Sequence, residues 1–238
     1  MYLGAKLWQL LLLFSFIGLV HETFAASIRL IQPPPTDNFA SHARLQIVGP
    51  IEKGDSERLP ALLRAATARS SAADQGKPDF YHSPLLLLDS PGGDIIEAIR
   101  IGRYLRDSMA SVIVPAGATC ASACVLVLVG GVFRYVLGAA PGAPIRIGIH
   151  RISIEDPRFA DLEPRRAIEE YNKLKVLVRT YLQDMGISDR FYEQMFDVGS
   201  EDIYWLPRNV LNDMLVTGED PAYREWLRAK EIQHWGKA

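Results

Sequence analysis

Cysteine is scarce. Two residues, Cys120 and Cys124, in a chain of 238 exclude a small scaffold built on disulfides, and this length buries a core without cross-links. The five histidines (His21, His42, His82, His150, His234) form no HExxH and no Cys/His pairing at zinc spacing, so the sequence offers no metal site. Neither sign of charge dominates: 26 basic and 28 acidic side chains leave a net charge of -2, with no basic field for nucleic acid. Wholesale disorder is excluded by 48% hydrophobic against 23% charged residues. No apolar run reaches the roughly 20 residues that cross a bilayer as a helix. There is no internal repeat and no interdomain linker.

The first residues read as a targeting signal. A short head carrying Lys6 precedes a fourteen-residue apolar run, Leu7 to Val20, and a polar stretch ending Thr23-Phe24-Ala25-Ala26. A positive start, an apolar middle and small residues at the end predict a secretory signal peptide over 1–25, cleaved after Ala25. The expected destination is periplasmic or secreted, an oxidising compartment in which the two cysteines are free to pair. Residues 26–43 contain Pro33-Pro34-Pro35 and read as an extended arm, and 44–238 as one domain.

Along that domain strand-like runs alternate with helical patterns. Leu45–Val48, Leu85–Leu88, Ser111–Val114, Phe133–Leu137 and Ile145–Ile149 read as strands, with a further one at Ile203–Trp205. Helices are expected over Ser56–Ala68, Asp94–Asp107, Ala121–Val129, Glu163–Met185 and Asp189–Phe196, then from Pro207 and from Asp220. Strand and helix in alternation imply an α/β fold with a mostly parallel sheet and flanking helices.

In such a sheet reactive groups collect where strands end and helices begin, because backbone N–H groups there are free. Two junctions stand out. In Ser90-Pro91-Gly92-Gly93 a proline fixes one dihedral and two glycines let the backbone approach a ligand, as an oxyanion hole built from main chain requires. In Cys120-Ala121-Ser122-Ala123-Cys124 a serine sits at the first turn of a helix, followed by an orphan N–H. The plain alternatives are a tight turn and a helix-capping serine. A serine attacks only when a base takes its proton, and His150, at the end of an apolar strand, is the best placed histidine. Cys120 and Cys124 lie four apart, about 6 Å in a helix by its geometry, so both a disulfide fixing the turn and two buried thiols fit.

Ser90-Pro91-Gly92-Gly93, Cys120-Ala121-Ser122-Ala123 and Ile147-Gly148-Ile149-His150, in that order, resemble the motifs of the Clp protease proteolytic subunit and its relatives in the crotonase-like superfamily. The resemblance spans roughly Arg44 to Gly218 and includes Ile47-Val48-Gly49-Pro50-Ile51 and the long helix after His150, similar to the family's handle helix. It implies Ser122 as nucleophile, His150 as general base and the amides of Gly93 and Ala123 as the oxyanion hole. The family's orienting acid matches Asp202 in Asp202-Ile203-Tyr204-Trp205-Leu206, 52 residues after His150, with Asp197 and Glu201 as competitors. The chain departs from the family where Ala123-Cys124 replaces Met-Gly and Arg151-Ile152 replaces Gln-Pro. The function implied is a serine peptidase-like hydrolase of the cell envelope acting on peptides or unfolded polypeptide, without cofactor or nucleic acid. Outside the cytoplasm it would have no ATPase partner. Self-association into a homo-oligomer is the family's habit.

Other readings use the same residues differently. A Ser-Lys protease like signal peptide peptidase A needs a lysine beside Ser122, for which Lys173 and Lys175 are the candidates. An acyl-coenzyme A enzyme is disfavoured outside the cytoplasm. A catalytically inactive scaffold of the same fold is the non-enzymatic alternative.

Overall fold

Leu85–Leu88, apolar at every position, suits a strand covered on both faces, and it lies near the middle of the main sheet. The computed structural model describes residues 26–31, 44–73, 84–137, 146–154 and 156–236. The expected leader, most of the arm and the first residue of the strand read from Ile145 fall outside these. Strand β2 (Arg44–Val48) pairs in parallel with β3 (Leu85–Asp89), β3 with β4 (Ser111–Val114), and β4 with β6 (Phe133–Val136). Both edges are antiparallel: β1 (Ser27–Ile31) on β2, and β9 (Gly218–Glu219) on β6. The architecture is therefore α/β with a mostly parallel sheet, ordered β1-β2-β3-β4-β6-β9.

Part of the segment read as an extended arm is extended, and it is hydrogen-bonded onto the sheet as β1. Ala26 just before it is buried and its carbonyl accepts from Arg58 Nη2 at 2.8 Å. Ile28 and Leu30 pack against the core.

A second small sheet, in the order β5-β7-β8, takes Cys120–Ala121 (β5), Ile147–Ile149 (β7) and Tyr204–Trp205 (β8). Cys120–Ala121 is thus extended, and α3 (Ala123–Val129) starts two residues later than the pattern suggests. All seven residues of α3 are buried, as an all-apolar helix requires. Between strands run α1 (Asp55–Ala73) and α2 (Ile95–Asp107), the latter capped by Asp94, whose side chain accepts from Glu97 N at 2.9 Å. Glu97 is itself buried and accepts from Gly54 N (3.2 Å) and Ser56 N (3.0 Å) at the start of α1, with Arg100 at 2.8 Å. Burial works against its charge, but these donors outweigh burial and hold its carboxyl below the ordinary glutamate value.

Helices α2 and α3 touch backbone to backbone: a Cβ on Gly130 would stand 2.4 Å from the Gly102 Cα. The long helix expected after His150 is α4 (Pro164–Asp184), and its fully buried Tyr181 donates to the Leu126 carbonyl of α3 at 2.6 Å. Buried Arg134 donates to the carbonyls of Val129 and Met185, both at 3.3 Å. Burial lowers its guanidinium to about 10 against the opposing charge of Asp220. These contacts tie the handle-like helix to the short α3 that begins at the candidate nucleophile. Helices α5 (Asp189–Asp197), α6 (Arg208–Asp213) and α7 (Pro221–Trp235) complete the chain. Asp220 caps α7 and meets Arg106 at 2.6 Å.

Candidate active site

The turn after β3 is held from two sides. On one, Ile51 N donates to Gly92 O (2.7 Å) and Asp94 N to Ile51 O (2.8 Å); on the other, Ser90 N donates to Thr119 O (2.7 Å) and Ala121 N to Ser90 O (3.1 Å). The Ser90 hydroxyl, buried, accepts from Gly92 N at 3.1 Å, and Asp89 Oδ1 accepts from Thr119 N at 3.0 Å. Both glycines have positive φ, 111° at Gly92 and 135° at Gly93. A Cβ at Gly93 would lie 2.2 Å from Ile51 O, and one at Gly92 would lie 2.7 Å from Ser122 Cβ and 3.0 Å from Ala123 N. Glycine is required here both by dihedral and by space, and the turn rests directly against Ser122.

Ser122 occupies the N-cap position of α3 with φ 54° and ψ -128°, and its side chain makes no capping hydrogen bond. A capping serine has extended backbone and bonds the second or third helical N–H; Ser122 does neither. A non-glycine residue at such dihedrals costs of order 1–3 kcal/mol and persists only where its surroundings impose it. The imposed turn runs from strand through the serine to helix. Its anchors are Ser122 N on Gly148 O at 2.9 Å, Cys120 N on Arg146 O at 2.8 Å and a disulfide between Cys120 and Cys124, which brackets the serine. Of the two states left open for these cysteines, the structure has the bonded one.

His150 follows β7, which pairs in parallel with β5, so the two strand ends bring Ser122 and His150 to one end of the small sheet. Both line a single cleft of about 320 Å³ together with Gly93 and Ala123. The N–H groups of Gly93 and Ala123 donate to no other group among the described residues, as an oxyanion hole needs. Ile95, Leu126, Ile152, Val178 and Met195 give the cleft its apolar lining, and the sequence reading placed none of them in a site. Arg151, Asp156 and Glu201 add charge. Asp156 is engaged, accepting from Arg158 N at 3.0 Å and Nε at 2.8 Å.

The structure brings together Ser122, His150, Gly93 and Ala123, but it does not bring Asp202 to the ring. Asp202 is exposed and lies in a turn closed by its N–H on Gly199 O at 3.2 Å. Its carboxylate folds back over Gly199, where an added Cβ would meet Oδ2 at 2.8 Å. His150 Nδ1 instead lies 2.9 Å from the carbonyl oxygen of Arg151. Of the competitors, Glu201 lines the cleft and Asp197 ends α5. Neither lysine considered for a Ser-Lys pair lines it: Lys173 meets Glu170 at 2.8 Å, and Lys175 lies over the rings of Tyr171 and Phe196.

No protein-family description matches this chain, and no curated protein does. Among solved structures, the chain is similar to a mutant of a membrane-bound stomatin-specific protease, 1510-N, at 16% identity over 72% of this chain and 75% of that one, with a TM-score of 0.43. It is similar also to a mutant of ClpP1 from Listeria monocytogenes at 18% identity, over 75% of this chain and 92% of that one, with a TM-score of 0.46. The arrangement described for Ser122, His150 and the two free amides is read from this chain's own geometry.

Proposed function

We propose that this chain is a serine peptidase-like hydrolase of the cell envelope, working without ATP or cofactor on peptides or unfolded polypeptide. Ser122 Oγ attacks a substrate carbonyl carbon while His150 Nε2 takes its proton. The negative oxygen of the tetrahedral intermediate is received by the amides of Gly93 and Ala123. On collapse the C–N bond breaks and the imidazolium returns its proton to the leaving amine. A water then gives a proton to His150, attacks the acyl-Ser122 ester and releases the acid, restoring the serine. The apolar lining beside Ser122 suits an uncharged side chain next to the cleaved bond.

The observation that carries this reading is the serine's own backbone: a strained, uncapped N-cap residue in the cleft that also holds His150 and two unused amides. A fluorophosphonate probe tests it. Labelling of the wild type that vanishes in Ser122→Ala, with the folded spectrum retained, is the expected result. No labelling at any pH would refute a nucleophile and leave the non-catalytic scaffold.

A further inference from the structure

We infer that the main-chain carbonyl of Arg151, in place of a carboxylate, orients the His150 ring for proton transfer, an inference that rests on the Ser122–His150 reading above. The contact is Nδ1 to Arg151 O at 2.9 Å. A carbonyl has no hydrogen to give, so Nδ1 carries one, and in the neutral ring the lone pair is left on Nε2. That is the tautomer a general base acting through Nε2 requires.

The carbonyl is itself fixed. Arg151 N donates to Val198 O at 3.1 Å. Ile149 before it and Ile152 after it are buried, 1% and 6% exposed, and the Ile152 carbonyl accepts from Tyr171 Oη at 3.4 Å. A ring bonded to such a segment is held by the same strand end that delivers it. The carboxylates within reach of the role are otherwise disposed. Asp202 lies over Gly199, Asp156 is taken by Arg158, and Glu201 is exposed and makes no hydrogen bond to the ring. Arg151 is thus a positioning residue acting through its backbone. A neutral acceptor orients imidazole as a carboxylate does but stabilises imidazolium less, since hydrogen bonds to an ionised acceptor are roughly twice as strong.

Two measurements on the full chain test this. In protein labelled with 15N-histidine, the His150 ring resonances, assigned by their loss in His150→Gln, are expected to show a protonated Nδ1 and an unprotonated Nε2 in the neutral form. The opposite tautomer would overturn the assignment. In the second, Asp202→Asn is expected to keep the fluorophosphonate labelling rate within about tenfold of wild type, with the acid limb of the pH profile unmoved, whereas neutralising a true triad carboxylate costs roughly 10⁴-fold. A larger loss or a displaced limb, in Asp202→Asn or in Glu201→Gln, would give the role to that carboxylate and leave the nucleophile assignment intact. Failure of the wild type to label counts against Ser122 as nucleophile, while the ring tautomer still decides what holds His150.

Discussion

Replacing Gly92 by alanine should damage stability and the site together, and the size of each effect follows from the turn's geometry. Gly92 stands at φ 111°, and its new methyl would meet Ser122 Cβ at 2.7 Å, Ala121 O at 2.8 Å and Ala123 N at 3.0 Å. The dihedral alone costs of order 1–3 kcal/mol in a side-chain-bearing residue. Overlap with backbone atoms that cannot swing aside adds about 1–3 kcal/mol. Gly117 separates the two, because it has a positive φ of 82° with nothing within 4 Å of an added Cβ. Gly117→Ala should therefore bear only the dihedral cost, and Gly92→Ala should be the less stable of the pair by about 1–3 kcal/mol in guanidinium unfolding. Relief of the overlap must push Ser122 and the Ala123 amide away, and a misplacement approaching 1 Å costs up to about 10²-fold in rate. Labelling of Ser122 should slow by between about ten- and 10²-fold in Gly92→Ala and stay near wild type in Gly117→Ala. If Gly92→Ala unfolds with Gly117→Ala and labels at the wild-type rate, the turn does not rest on Ser122.

Two further outcomes are expected. Glu97 binds its proton less tightly folded than unfolded, so its contribution to stability is complete above the ordinary glutamate value and disappears as pH falls through the lower folded value; Glu97→Gln should flatten that part of a stability curve against pH, and an unchanged slope would contradict it. In unreduced protein unfolded in guanidinium neither Cys120 nor Cys124 should alkylate, and replacing both by serine should lower stability by about 2 kcal/mol from the loss of a short closed loop and slow labelling of Ser122; two alkylated cysteines would refute the pairing.

Much of the main sheet is legible in the sequence because short apolar runs such as Leu85–Leu88 stand between polar loops and because α2 and α7 carry their own caps. Leu85–Leu88 extends by one residue to Asp89, Ser111–Val114 is found as read, and Asp94 and Asp220 sit at the helix starts. What is hidden is pairing between distant residues. Nothing local in Ser27–Ile31 announces an edge strand, and Gly218–Glu219 is only two residues long. Ala121 belongs by pattern to the helix that follows and Cys120 to the stretch before it, yet their parallel pairing with Ile147–Gly148 makes the two a strand. The site divides the same way. Ser122, His150 and the two amides announce themselves at strand ends, whereas the Arg151 carbonyl belongs to a group every residue possesses, and a role carried by main chain leaves no mark on residue type. Asp202 lies in its own turn, its N–H on Gly199 O and its carboxylate over Gly199, a placement that its residue type does not foretell.

The sulfurs of Cys120 and Cys124 belong to residues with no exposed surface. An oxidant can reach them only while the surrounding helices are still apart, so the timing of maturation matters: the cross-link must be made before the interior closes. A preparation folded in a reducing cytosol would enclose both thiols at the start of α3, away from an oxidant added later. Two preparations identical in sequence but folded under different redox conditions are then expected to differ in whether this link is present.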